Sequence, residues 1–507
     1  MFRALLHRSR GPAAAACAVA GLNHRYTLNE RSIVIENNDL PPLHQPTTHS
    51  QDRKHFPYVI VGACTTAYAA IEAILQQQPN TEILMISDEA HLQRLDHVDV
   101  KPTTMSDALT HSYNEWRRFI CPRLEDEHEA SPPNVTVVLA KRDPLLFDLE
   151  GKTIQIADGS SVSYDKCLIA TTGKPRPLYV LDSYRLSYAL LDRVNTATTR
   201  SDFEALSSLP PDIESVSIIG GGLLATELAA AVASDSKNTK RTVRLIFDGL
   251  PGPCGHEVPP YLSLELKRRL EALGNVQVRP GTLVTSVKPA NNHVALTCMT
   301  TAAETTQEET DYVVLAPTHI DPGVHGFAQV NGLEIDSNND GIVVNSQLEA
   351  MADVFVAGSA ASYYDEFIGR RRLDRYDHAV NSGLLAGHNM ANNTSKKVYR
   401  HQPMFHSNMA GLGVVCDGVG EIDGRLQTVG VWLSTPDSPY ARGIVYYLRG
   451  HKLVGILLWN APDLVETARQ VMVGKPTVDS VQDIPKVISL GPEAWLHVVE
   501  VDAVHQR

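Results

Sequence analysis

Along this chain, short β-branched apolar runs alternate with longer Ala- and Leu-rich stretches, the rhythm of strands and helices taken in turn. The clearest instance is Ser215–Ile219, a strand pattern, then Gly220-Gly221-Gly222, then a helix pattern over Leu223–Ala233. A second strand follows at 243–247 and ends on Asp248, so the whole reads as one βαβ unit. An earlier unit has the same order: a strand over 58–62, a helix over 67–78, and a strand over 82–86 that finishes in Ser87-Asp88-Glu89. Residues 134–165 alternate over short strands and predict an antiparallel insert, feeding a strand at 166–170 and a Gly/Pro loop at 171–176. Further on, the pattern predicts a helix over 260–273, strands within 276–300 and 311–315, and returning strands at 342–352 and 354–358. A helix rich in small residues follows over 376–390. From Met404 to Val473 strands dominate (428–433, 443–448 and 453–458), closed by a helix over 462–472.

The glycine turns carry the candidate chemistry. In Gly220-x-Gly222-x-x-Ala225 the first glycine makes the turn, the second lets the backbone approach a pyrophosphate, and the small third residue lets helix and strand pack closely. Asp248 is then placed to accept a ribose hydroxyl. The earlier turn reads Gly62-Ala63-Cys64-Thr65-Thr66-Ala67, so Cys64 stands where the middle glycine belongs and its Cβ crowds a ligand. A plain βα turn that binds nothing is the competing reading at both places.

This order predicts an α/β protein with two Rossmann-like dinucleotide-binding domains in the manner of glutathione reductase, the second inserted in the first, plus an α+β C-terminal domain. The expected boundaries are presequence and linker at 1–54, a first dinucleotide-binding domain at 55–190 and 318–402, and a second at 191–317. The α+β C-terminal domain is expected at 403–480 and a tail at 481–507. At 507 residues, 43% hydrophobic and 20% charged, the chain has the composition of a soluble globular protein of about three domains.

Charge and cysteine usage narrow the classes. Forty-five Lys and Arg against 58 Asp and Glu leave a formal charge of -13, which disfavours non-specific adhesion to DNA. The seven cysteines (17, 64, 121, 167, 254, 298 and 416) form no C-x-x-C pair and no cluster with histidine at metal spacing. A metal site, a disulfide framework and a disulfide reductase with paired cysteines are therefore not indicated. Arg3, Arg8, Arg10 and Arg25 precede the first acid, Glu30, the composition of a mitochondrial transit segment. The apolar stretch 11–22 falls short of the roughly 20 residues that span a bilayer, and no other segment reaches that length.

Several stretches resemble the apoptosis-inducing factor family, mitochondrial FAD proteins that oxidise NADH. They are GSSVSYDKCLIATTGKPR (159–176), SIIGGGLLATELA (217–229), VNGLEID (330–336), DVFVAGSAASYYDEFIGRRR (353–372), DHAVNSGLLAGHNM (377–390), HQPMF (401–405) and YYLRGHKLVGILLWN (446–460). The resemblance spans roughly residues 55 to 475 and implies FAD for the first dinucleotide-binding domain, NAD for the second and a C-terminal domain of the dimerisation type. It implies FAD on Gly62, Ala63, Cys64, Thr65 and Thr66, its adenosine ribose near Asp88 and Glu89, and its pyrophosphate and ring edge near Arg176. Lys101 resembles the family's lysine beside the flavin and Glu227 its carboxylate partner; a cation there stabilises the negative charge of the reduced ring. NADH would rest its pyrophosphate on Gly221, Gly222, Leu223 and Leu224, with Asn460 as a C-terminal contact.

The departures from the family are specific. Its Gly-Asp, which holds the ribityl chain, is Gly358-Ser359 here, replacing a charged hydrogen bond of about 1.5–3 kcal/mol by a neutral one of about 1. The acid for the nicotinamide-side ribose falls at Gly249, with Asp248 adjacent; a lysine near that nucleotide is His256; a strand-ending glycine is Thr318. Near the ring the family's histidine is Arg375, followed by Tyr376 and preceded by the retained acid Asp374, and the tryptophan of its M-F-W motif is His406. Two readings follow from the resemblance: an FAD-dependent NADH oxidoreductase, and a redox-degenerate scaffold of the same fold that works through protein–protein interaction. The resemblance also implies a homodimer, an import oxidoreductase as partner, an intermembrane-space location, roles in respiratory-chain maintenance and cell death, and nuclear relocation during the latter.

Overall fold

The computed structural model describes residues 54–87, 109, 134–139, 146–148, 151–155, 161–171, 173–175, 192–197, 200–234, 241–249, 251–316, 320–365, 369–392, 394–435, 438–474, 476–478, 480–490 and 496–503. The predicted presequence and linker, except its last residue Lys54, and the residues Asp88, Glu89, Lys101, Arg176 and Thr318 lie outside them.

The first sheet is built on β1 (Lys54–Val61), whose inner half, Tyr58 to Val61, is buried on both faces, as a central parallel strand requires. After α1 (Thr65–Gln77), β2 (Ile83–Ser87) pairs parallel with β1, β3 (Val135–Leu139) continues outward from β2, and β4 (Ser161–Ile169) flanks β1 on its other side. Of the antiparallel insert expected over 134–165, Leu146–Asp148 and Thr153–Gln155 pair antiparallel with each other, the latter also with β4, whereas Val135–Leu139 is instead the parallel strand β3 of the main sheet.

The second sheet is made by the middle of the chain. Around β5 (Ser215–Ile219) lie, in parallel, β6 (Thr242–Ile246) and, beyond it, β7 (Val276–Arg279), with β8 (Tyr312–Leu315) and Val194–Asn195 on the other side. The helices α2 (Leu223–Ala233) and α3 (Pro260–Glu271) connect these strands, and three antiparallel strands at Thr282–Ala290, His293–Thr300 and Thr305–Thr310 form a separate layer. Lys174–Pro175 and Ile320–Asp321 pair antiparallel, so the two crossings between the nested domains run side by side.

The chain then rejoins the first sheet through β9 (Val354–Val356), parallel to β4. The predicted continuous strand at 342–352 is broken in two. Asn345 Oδ1 accepts the N–H groups of Gln347 and Glu349, and Leu348 takes φ 66°, so the chain turns between Ile342–Val343 and Glu349–Met351. α4 (Tyr376–Ala391) packs on α1 at very close range: a Cβ at Gly383 would lie 2.4 Å from Thr66 O, and one at Gly387 2.3 Å from Ala70 O.

The last domain is a six-stranded antiparallel sheet in the order β10 (Met404–Met409), β11 (Val414–Gly420), β14 (Lys452–Trp459), β13 (Ser438–Arg449), β12 (Gln427–Thr435), β15 (Leu496–Val501), with α5 (Val465–Val473) against it. Residues 481–507, expected to be a tail, supply β15 and the turn Val481–Lys486, whose Ile484 is buried. The charged Glu500 and polar His497 hid the alternation of that strand.

One apolar core joins the middle and last domains: Leu228 and Val232 of α2 share it with Val243, Trp432 and Trp459. That explains why α2 is buried nearly all round rather than amphipathic, since strands of both sheets lie against it. Cys64, Cys167, Cys254, Cys298 and Cys416 form no disulfide among the described residues, and all are buried. Among the described residues no helix is long and apolar enough to cross a membrane, and no group of His, Cys, Asp and Glu is arranged to hold a metal.

Candidate functional site

The first turn, between β1 and α1, is shaped by Gly62. Its φ is 116°, and a Cβ there would stand 2.1 Å from the carbonyl oxygen of Ala170, so no side chain fits. Ala63, Cys64, Thr65 and Thr66 are all buried. Cys64 caps α1, and its thiol donates to Ala170 O at 3.0 Å, directed at the end of β4. Thr65 Oγ1 and Thr171 Oγ1 are buried and have no hydrogen-bond partner, two polar atoms on the turn and the adjoining strand end that a bound group would satisfy. The residues therefore fit an adenine dinucleotide despite the missing glycine.

Gly358-Ser359 comes against this turn from the returning strand. Gly358 has φ 66° and would place a Cβ 2.3 Å from Thr66 Oγ1. Its N–H donates to Ser382 Oγ at 2.9 Å, and its carbonyl accepts His378 Nε2–H at 3.3 Å. His378 Nδ1 then accepts the Tyr399 hydroxyl at 2.7 Å, which fixes the neutral tautomer. Burial pulls the His378 pKa down to about 3. Ser359 is buried and its hydroxyl bonds to the Asp374 carboxylate, which also takes Arg372 at 2.6 Å. The carboxylate that the resemblance expects at 359 is thus brought in from 374. Burial raises the Asp374 pKa against the lowering effect of Arg372.

The second turn has the full glycine set. Gly220, at φ 140°, would clash with Ala316 O at 2.7 Å if it carried a Cβ, and Gly221 would clash with the Phe247 ring at 2.8 Å. Gly222 is different: only Glu257 Oε1 comes as near as 4.0 Å to its Cβ position, so the space over the start of α2 is otherwise clear. Leu223 and Leu224 open the helix and are buried, which leaves their backbone N–H groups, not their side chains, to meet a ligand. Asp248 is exposed at the end of β6, and His256 is exposed on the segment that follows.

One turn into α2, Glu227 is buried and accepts the Ser407 hydroxyl of β10 at 2.5 Å. Its expected partner Lys101 lies outside the described residues. Arg375 caps α4 and stacks over Phe405, 4.8 Å from the ring centre, with Tyr376 next to it, half-buried, at the helix start. His406 Nδ1 lies 2.6 Å from Asp417 Oδ1, while Asp417 Oδ2 is buried without a partner. Asn460, at φ 52°, spends its side-chain amide on the sheet: it donates to Gly413 O and Ala441 O and accepts Val415 N–H.

The clamp made by His378, Ser382 and Tyr399 on Gly358, and the Ser407 bond to Glu227, escaped sequence reasoning. His378 and Ser382 stand four apart on α4, a spacing that puts both on one helical face, and that was the available signal.

Residues 56–383 match the family model described as pyridine nucleotide-disulphide oxidoreductase, and 386–438 and 433–474 match one described as apoptosis-inducing factor, mitochondrion-associated, C-term. The chain is 31% identical over 449 residues to apoptosis-inducing factor 1, mitochondrial, of Dictyostelium discoideum, covering 86% of this chain and 82% of that protein. It is 28% identical over 501 residues to the putative apoptosis-inducing factor 1, mitochondrial, of Drosophila melanogaster, covering 86% of this chain and 66% of that protein. Among solved structures, putidaredoxin reductase in its covalent complex with putidaredoxin shares the fold with a TM-score of 0.65 at 18% identity, covering 86% of this chain and 99% of that one. A ferredoxin reductase from Rhodopseudomonas palustris does so with a TM-score of 0.64 at 20% identity, covering 84% and 96%. Nested nucleotide domains, two glycine turns on parallel sheets and these matches together place the chain in the apoptosis-inducing factor family of FAD-dependent NAD(P)H oxidoreductases.

Proposed function

We propose that the protein is a mitochondrial NADH oxidoreductase that holds FAD on the Gly62 turn and NADH on the Gly220 turn. FAD, when bound, supplies a ring that accepts hydride from the nicotinamide and passes electrons on. The chain's own residues do the rest. Thr65 and Thr66, with the N-terminus of α1, would meet the flavin pyrophosphate; Ser359, whose hydroxyl donates to Asp374, would offer its oxygen as an acceptor to the ribityl chain. Lys101 and Glu227 pair beside the ring, with Ser407 orienting the Glu227 carboxylate, and Arg375 and His406 line its edge. Gly221 and Gly222 let the NADH pyrophosphate reach the N-terminus of α2, and Asp248 takes the adenosine ribose hydroxyls, which favours NADH over NADPH.

The observation that carries this reading is that Gly220 and Gly62 both adopt positive φ, against carbonyl oxygens 2.7 and 2.1 Å from the Cβ positions, each between a central parallel strand and the helix that follows it. The direct experiment is the visible spectrum: the purified protein is expected to be yellow and to bleach when NADH is added without oxygen. Colourless, folded protein that takes up no added FAD would overturn the redox reading and leave the scaffold one.

The mitochondrial location rests on the relatives' names and on the acid-free start of the chain, and fractionation of cells expressing the tagged full chain tests it. Roles in respiratory-chain maintenance and in cell death belong to the same proposal, as do an import oxidoreductase partner and a homodimer formed on NADH binding. Sedimentation with and without NADH reads the last.

A further inference from the structure

The segment after β6 folds back onto the second glycine turn. Cys254 N–H donates to Gly221 O at 2.6 Å, Cys254 Sγ lies 3.3 Å from Thr226 Oγ1, and Cys254 is held at φ 57°. Glu257, whose N–H returns to Cys254 O at 2.9 Å, is delivered to the mouth of α2. Its Oε1 stands 4.0 Å from the Cβ position of Gly222, which is the N-cap of that helix, and its Oε2 is sealed from solvent without a hydrogen-bond partner. A carboxylate in that place stands in the field of the helix N-terminus, where a diphosphate would go, and two anions cannot share it cheaply.

We propose that Glu257 gates the NADH site: the dinucleotide's pyrophosphate binds at the start of α2 with uptake of a proton by the Glu257 carboxylate. The proposal rests on the reading of the Gly220 turn as the NADH cradle. The groups around Glu257 set the balance. Burial raises its pKa, while Arg375 from α4 and His256 from its own segment lower it and Asp423 raises it. The Cys254 thiol and the Tyr447 phenol also feel its charge, and both have raised pKa values, first through burial, so they stay neutral beside it. The carboxyl therefore starts above its ordinary range, and a neighbouring diphosphate pushes it further in the same direction.

The test uses ADP-ribose, which carries the pyrophosphate without the reducible ring, titrated calorimetrically into the FAD-loaded protein between about pH 5.5 and 8.5. The wild-type dissociation constant should be flat at the acid end and rise by up to about tenfold per pH unit once Glu257 ionises in the free protein. Glu257→Gln should bind about tenfold or more tightly at the alkaline end. It should also take up one proton fewer on binding, read from the change in apparent enthalpy between buffers of different ionisation heat. His256 is itself ionisable, so the diagnostic quantity is the part of the slope lost in Glu257→Gln with His256 intact. Glu257→Gln with unchanged affinity and unchanged proton uptake would overturn the gate. Gly222→Asp separates the two levels: its φ of -86° suits any residue, and it fixes an anion at the N-cap. If Gly222→Asp abolishes ADP-ribose binding while Glu257→Gln changes nothing, the gate falls alone; if ADP-ribose binds Gly222→Asp normally, the cradle falls with it.

Discussion

Gly358 is the residue on which the flavin side turns. Alanine there would take a left-handed conformation and press on Thr66, so Gly358→Ala should cost about 1–3 kcal/mol and strip FAD, read as a lower flavin-to-protein absorbance ratio. His378, which clamps the Gly358 carbonyl, gives a pH signature. Its pKa falls from 6.5 in the open chain to about 3 when folded, so the unfolded protein binds the extra proton between those values. Its contribution to stability is whole above pH 6.5 and is lost as the pH falls toward 3, at about 1.4 kcal/mol per unit. Urea melts at about pH 7 and pH 5 should show that loss, and His378→Gln should shrink it. On the nucleotide side, Asp248→Ala should weaken NADH by about 1–3 kcal/mol and NADPH less, measured as the ratio of their Kd values. The Gly220 fingerprint was legible in the sequence because its three jobs fall within six consecutive residues. The Gly358 clamp was not, because Ser382 and His378 reach it from 24 and 20 positions along the chain and Tyr399 holds His378 from 21 further on, and the Ser359–Asp374 bond depends on a side-chain path that spacing does not encode.

Among the elements, α1 and α4 pack backbone against backbone, and their approach depends on Gly383 and Gly387. Gly387→Val would force its Cβ into the Ala70 carbonyl, and overpacking of this kind costs about 1–3 kcal/mol. A lowered denaturation midpoint with no change in NADH affinity would show that the helix pair supports the flavin turn and not the second one. The sequence pattern located both helices and the buried parallel strands β1, β2, β5, β6, β8 and β9, since continuous apolar runs leave no other reading, but it missed Val194–Asn195 and put β3 in an antiparallel insert although it runs parallel to β2. It failed where a single polar side chain rewrote the backbone, as Asn345 does between Ile342–Val343 and Glu349–Met351. It failed again at β15, where half the strand faces water and the charged positions mask its period.

At the scale of the molecule, β15 covers the outer edge of β12, so the last sheet ends on a short strand carrying Glu500 and His497. Removing residues 491–507 should leave flavin content intact but open the β12 edge to pairing with other chains, seen as concentration-dependent association in light scattering. The formal charge of -13 argues in the same experiment against nucleic acid as the species recruited. The sealed thiols have a use of their own. Cys64 and Cys298 sit in different apolar clusters, and Cys254 and Cys416 lie in the core joining the middle and last domains. An alkylating reagent reaches each only when its surroundings come apart. The order in which they are modified under native conditions is therefore a clock, read by mass spectrometry, for which part of the molecule lets go first.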